Sequence, residues 1–166
     1  MDNSTFEVGQ KIVYPSQGVG IVRAIEDKPF NDAVVPFYII YIEASDMTIM
    51  APVEKAPELG IRATVPVEQA MEALTLVGEE FEPNPSDWKL RYQMNMELLK
   101  KGSIQDIAKI VRSLYHRSKV KELPILEKKL CDSAQNLLKE ELSISLGKSK
   151  KEVEALIHER LEALTE

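Results

Sequence analysis

The spacing of apolar residues changes once along this chain, and that change limits it to a protein of two unlike parts. Through about residue 51 the apolar residues come in short β-branched or aromatic bursts. Beyond residue 86 they recur about every 3.6 residues. Strands and helices are the backbone forms that bury these two patterns on one face.

The bursts are dense. Lys11-Ile12-Val13-Tyr14 is turned by Pro15-Ser16-Gln17-Gly18, and residues 19–25 follow as a second strand. Residues 27–32 read as a turn-rich loop. Phe37-Tyr38-Ile39-Ile40-Tyr41-Ile42 suits a buried central strand, and Met47-Thr48-Ile49-Met50-Ala51 a fourth, stopped by Pro52. Four or five short strands in about 60 residues predict a small SH3- or Tudor-like barrel. Gly9 and Gly18 are expected to supply turns of positive φ. Residues 66–77 read as a helix with Pro66 in its first turn and Val67, Ala70, Leu74 and Val77 on one face.

Gly78-Glu79-Glu80-Phe81-Glu82-Pro83-Asn84-Pro85 breaks every period and is the predicted hinge. Residues 1–80 then form a strand-rich domain with a terminal helix, and residues 81–166 a compact antiparallel helical bundle. The expected fold class is two-domain α+β. In the bundle Ser86 caps a helix ended by Gly102, and Ser103 caps one with Ile104, Ile107, Ala108, Val111, Leu114 and Tyr115 as its stripe. Pro124 opens a helix with Leu126, Leu130, Ala134, Leu137 and Leu138 inward, ended by Gly147. Ser149 and Glu152 form a capping box before Val153, Leu156, Ile157, Leu161 and Leu164.

Charge follows the same division. The 166-residue chain carries a net −6. Residues 1–80 hold 5 basic and 13 acidic side chains, and residues 81–166 hold 16 and 14. Within residues 88–129 the count is 11 to 4. Such asymmetry suits two modules with different partners, although helices also favour Lys and Arg for their propensity alone. The single cysteine, Cys131, cannot form an intrachain disulfide, which fits a cytoplasmic setting. No secretory leader or membrane span is expected.

Catalytic patterns are lacking. His116 and His158 fall on separate predicted helices without ligand-spaced neighbours. Gly18-Val19-Gly20 runs into a strand where a dinucleotide loop would open a helix. Cys131 reads as a small core residue. No enzyme activity, metal or cofactor is expected.

The run Phe6-Glu7-Val8-Gly9-Gln10-Lys11-Ile12-Val13-Tyr14-Pro15-Ser16-Gln17-Gly18-Val19-Gly20-Ile21-Val22 resembles the opening of CarD-family proteins (CarD and the related CdnL). It also resembles the polymerase-binding domain of transcription-repair coupling factors. Met47-Thr48-Ile49-Met50-Ala51-Pro52-Val53 is similar to a later strand of that domain. Asp87-Trp88-Lys89-Leu90-Arg91-Tyr92, followed by Asn95, resembles the start of the CarD helical domain, and Lys128 and Lys129 fall where it carries basic residues. The resemblance spans about residues 5–146 in order, and no helicase motif follows.

The resemblance implies a transcription regulator. Its barrel pairs an exposed strand with the β subunit of σ-containing bacterial RNA polymerase. Its helical domain sits at the upstream edge of the melted promoter, where a tryptophan wedges into the minor groove and slows bubble collapse. Carried onto this chain, Thr48, Ile49 and Met50, with Lys28 and Phe30, face the polymerase. Trp88, Lys89, Arg91, Arg117, Lys128 and Lys129 face DNA, weakly and without sequence specificity. A monomer, nucleoid-associated through the polymerase, is implied. Met50 stands where some relatives carry a basic residue, so a hydrophobic or backbone contact is expected there. Leu90 and Gln93 are likewise uncharged.

Periodicity alone leaves Trp88 open between core and wedge. It shares a face with Tyr92, Met96 and Leu99, while Leu90, Met94 and Leu98 form a second apolar row, and both rows cannot be buried. Lys109, Arg112, His116 and Lys119 read as a solvated or phosphate-facing surface. A docking adaptor that never touches DNA is the competing function.

Overall fold

The computed structural model describes residues 6–81 and 85–163. The chain divides into two compact units, with the boundary between Thr64 and Val65.

The first unit is an antiparallel sheet of β1 (Lys11–Tyr14), β2 (Gly18–Phe30), β3 (Ala33–Ile42), β4 (Met47–Pro52) and β5 (Arg62–Ala63), in the order β4-β3-β2-β1-β5. Tyr38, Ile40 and Ile42 of β3 point into its core with Ile12, Val22, Ala51 and Ile61. Gly20 lies across from Ile42, and a Cβ there would stand 2.7 Å from both Ile40 Cγ2 and Ile42 Cδ1. No side chain fits, which explains the second glycine of Gly18-Val19-Gly20. Gly18 itself holds φ 111°, as its turn requires.

Two expectations are corrected here. The sheet does not close: among the described residues β4 and β5 remain its two edges, and the two-residue β5 is too short to complete a ladder. The architecture is an open α+β sheet-plus-helices arrangement. The loop expected at residues 27–32 is also a hairpin arm, in which β2 and β3 stay paired from Asp27↔Pro36 to Phe30↔Ala33. Its turn residues, Asn31 and Asp32, hold φ of 48° and 64°. Two successive positive φ values give the turn whose twist matches paired strands, and Asn and Asp tolerate it. A register shift at Arg23 lies where the main sheet gives way to the arm.

The second unit contains α1 (Val67–Val77), α2 (Trp88–Lys101), α3 (Ile104–Val120), α4 (Ile125–Leu146) and α5 (Lys150–Ala163). The predicted caps recur. Ser103 Oγ accepts from Asp106 N–H, Ser149 and Glu152 form the capping box, and Gly102 and Gly147 end their helices in the left-handed region. At α2 the cap is Asp87, not Ser86; its carboxylate accepts from Lys89 N–H. Leu164 lies outside the described residues. Among the described residues no helix is long and apolar enough to cross a membrane.

The expected division at residues 78–85 is displaced. α1 buries Ala70, Ala73, Leu74 and Val77 in the same core as Ile107, Ile110, Leu114, Leu138, Leu142 and Val153. It therefore belongs to the helical unit. Val65 opens that unit, donating its N–H to Glu141 Oε2 at 2.9 Å and accepting from Ser145 Oγ at 2.7 Å. Residues 78–81 are fastened rather than free: Arg112 donates to the Leu76 carbonyl and lies over the Phe81 ring, which packs on His116. Positions 82–84 of the predicted hinge lie outside the described residues.

Candidate docking edge and nucleic-acid interface

In the sheet unit, β4 bonds to β3 alone, so its far backbone side has no sheet partner among the described residues. The register then sorts the predicted docking residues by face. Opposed residues of antiparallel strands share a face. Thr48↔Tyr41, Met50↔Ile39 and Pro52↔Phe37 therefore lie on the side that also carries Glu26, Lys28 and Phe30. Ile49 alternates to the other side and packs against the core. Met50 is 56% exposed. Phe30 stands edge-on to Phe37, ring centroids 5.8 Å apart, and Lys28 pairs with Glu26 at 3.4 Å. The structure thus brings Thr48, Met50, Lys28 and Phe30 to one outer face beside an edge strand, and turns Ile49 inward.

On that face Arg23 lies 3.8 Å from the centroid of the Tyr41 ring, and Tyr41 donates its hydroxyl to Asp46. The Asp46 hydrogen bond holds the Tyr41 phenol above its ordinary range. None of these three residues was singled out from the sequence.

In the helical unit, α2 and α4 begin side by side, because Arg91 of α2 reaches Glu127 in the first turn of α4. Arg91 Nε and Nη2 donate to the two Glu127 oxygens at 2.7 and 2.5 Å. Arg91 Nη1 donates to the Pro85 carbonyl at 2.9 Å and points at that of Ser86 at 3.4 Å. Arg91 is 3% exposed and Glu127 fully buried. This overturns Arg91 as a phosphate contact: its donors are already committed to a forked ion pair and two backbone carbonyls. Leu126, expected inward, is exposed instead, because the buried face of α4 runs Glu127, Leu130, Cys131, Ala134, Leu138.

The other candidates gather at this end. Trp88 opens α2, half-buried and outside the helical core cluster, whereas Tyr92, Met96 and Leu98 pack against that core. Lys89 and Lys129 are exposed and make no ion pair among the described residues. Lys128 is exposed but joined to Glu122 at 2.6 Å. Arg117 lies in the last turn of α3, four residues before α4's lead-in. The same two helices also expose apolar side chains: Leu90, Met94, Ile125 and Leu126, with Ile125 70% exposed. The second apolar row of α2 is thus partly outside. Cations with apolar side chains among them can hold phosphates while offering surfaces for unstacked bases.

Arg112 and His116, read from sequence as part of a charged outer face, turn against α1 and Phe81 instead. Burial holds the His116 imidazole below its ordinary range, with Glu162 opposing and Arg112 adding to the shift. Cys131 is buried, and burial pushes its thiol up to about 11, which disfavours the reactive thiolate.

Comparison with known proteins agrees with this division. Residues 6–65 match the CarD-like/TRCF RID domain, and residues 72–158 match the CarD C-terminal domain. YdeB of Bacillus subtilis (strain 168), a protein named as a candidate transcription factor, is 37% identical over 154 residues, covering 90% of this chain and 98% of that one. The chain belongs to the CarD family, whose members are transcription regulators that interact with RNA polymerase.

Proposed function

We propose that this protein binds the β subunit of σ-containing RNA polymerase through the β4 edge and stabilises the promoter open complex through Trp88 at the upstream edge of the bubble. The observation that carries the proposal is the placement of Trp88. It stands outside the helical core, at the end of the bundle where Lys89, Lys128 and Lys129 are exposed. An aromatic side chain so placed can enter a distorted base step while the cations hold flanking phosphates. At the other contact, Thr48 and Met50 lie on an edge strand that can add to a partner sheet, with Phe30 and Lys28 on the same face. Met50 makes that contact hydrophobic. The protein acts as a monomer without catalysis or cofactor, and polymerase carries it to the nucleoid.

A second reading, an adaptor that docks without touching DNA, draws on two observations. The net charge is −6, and two of the five expected DNA-facing cations, Arg91 and Lys128, are engaged by carboxylates. One experiment separates the readings: decay of preformed open complexes on a linear promoter with a competitor present, comparing no factor, the full chain and Trp88→Ala. Slower decay with the full chain, lost in the variant, supports the wedge. Slower decay retained by the variant favours the adaptor.

A further inference from the structure

The Arg91–Glu127 pair is costly. Two fully desolvated ions must recover their lost hydration from each other, and apolar residues of similar volume at such sites are often as stable. Stability alone therefore does not account for it. Its other contacts indicate what it does. The same guanidinium takes hold of the carbonyls of Pro85 and Ser86, which directly precede Asp87 and Trp88. The residues around Trp88 are thus held from two sides: Asp87 caps the helix through Lys89 N–H, and Arg91 ties the incoming segment and the start of α2 to α4. Trp88 lies outside the helical core cluster. Its direction is set by the backbone that carries it. A planar fork making four contacts allows little rotation of that backbone, which a Lys point charge would permit.

We infer that Arg91 and Glu127 are positioning residues for Trp88, holding the first turn of α2 so that the indole is presented in one orientation. The inference rests on the wedge reading for its consequence in transcription, but not for its geometry. Pre-set orientation matters because a wedge that must be ordered on binding loses part of its stacking free energy to that ordering.

Trp88 is the single tryptophan, so fluorescence excited at the red edge of the indole band, beyond tyrosine absorption, reports this residue alone. The test uses the full chain carrying Arg91→Met with Glu127→Leu, which removes both charges and leaves neither stranded. With a native circular-dichroism spectrum, the double variant should show lower indole anisotropy and a larger acrylamide quenching constant than the parent. Open complexes should decay faster, toward the rate of Trp88→Ala and not beyond it. In a Trp88→Ala background the pair substitution should add nothing to the decay rate, because its effect passes through the indole. Unchanged anisotropy and quenching in a folded double variant would overturn the inference, as would additive effects in the Trp88→Ala background. If the double variant fails to fold, Glu127→Gln, which keeps the shape and removes the charge, must shift both fluorescence readouts in the same direction or the inference fails. Should Trp88→Ala itself leave decay unchanged, the wedge reading falls, while the fluorescence arm still decides the positioning role.

Discussion

Replacing Trp88 with alanine should separate structure from function more sharply than any other single change. A tryptophan in a core costs about 3–5 kcal/mol to truncate, a large share of a small domain's stability. Trp88 is partly buried and stands outside the cluster formed by Leu99, Ile104, Leu114 and Leu138. Fully burying a large apolar side chain contributes about 1.5–3 kcal/mol, so its partial burial sets the expected loss at about 1–2 kcal/mol. For a unit of this size each kcal/mol lowers the melting temperature by roughly 4–8 °C. On the open complex the effect should be larger. An aromatic side chain stacked on an unpaired base contributes roughly 1–3 kcal/mol. If all of it falls on bubble collapse, decay accelerates about five- to 150-fold. Thermal unfolding and competitor-chased decay, measured on the same preparation, test both numbers. A melting loss several times larger would return Trp88 to the core. An intact melting temperature with unchanged decay would remove it from the mechanism.

Four further outcomes are expected. Arg91→Ala strands the buried Glu127 carboxylate and should cost the helical unit about 3–5 kcal/mol in urea unfolding, most of it regained by Arg91→Met with Glu127→Leu. Met50→Glu should leave melting unchanged while weakening polymerase binding at least about fivefold, the equivalent of ~1 kcal/mol at an interface anchor. Lys89→Ala with Lys129→Ala should weaken DNA binding for all sequences alike and lower the slope of log affinity against log salt by roughly 2. His116 is held below its unfolded value of about 6.5 by burial, so the unfolded chain takes up its proton first on acidification. Stability from this group is complete above that value and is lost as pH falls through it toward the lower folded value. His116→Gln should flatten that part of a melting-temperature profile between pH 7 and 5.

Helix boundaries were legible in the sequence because their signals are chemical and local. Ser103, Gly102, Gly147 and the Ser149–Glu152 box each act within one turn of their own position. The hairpin arm was not, because Pro29, Asn31, Asp32 and Pro36 are turn formers counted singly. In the fold the prolines tolerate positions on an arm paired only on one side, and Asn31 and Asp32 make the turn that keeps the strands together. α1 was assigned to the wrong unit for a related reason. Gly78, Pro83 and Pro85 do break periodicity, but a break in period is not a break in packing. The apolar face of α1 has its partners in α3, α4 and α5, tens of residues downstream.

The candidate site was half legible, and Arg91 shows why. Charge counting treats every cation in residues 88–129 as surface, because Lys and Arg are almost never fully buried unless paired. Pairing is the exception that decides this site. Arg91, Asn95 and Leu99 recur every four residues and all three are buried. Glu127 is in register with Leu130, Ala134 and Leu138, also buried. A cation and an anion on the inward stripes of neighbouring helices form a buried pair, and that was readable once the two stripes were compared. Which cations stay outside followed from the same step. With Arg91 removed from the surface and Lys128 held by Glu122, Lys89, Lys129 and Arg117 are the cations left for the proposed phosphate contact, on helix ends that also expose Leu90 and Ile125. Phosphate attraction from so few cations is weak and spread over any sequence. A lasting hold on one promoter edge then needs two further things, the docking strand to bring the protein there and the indole to keep it there. On the proposed reading the two contacts act together, which accounts for both units lying on one chain.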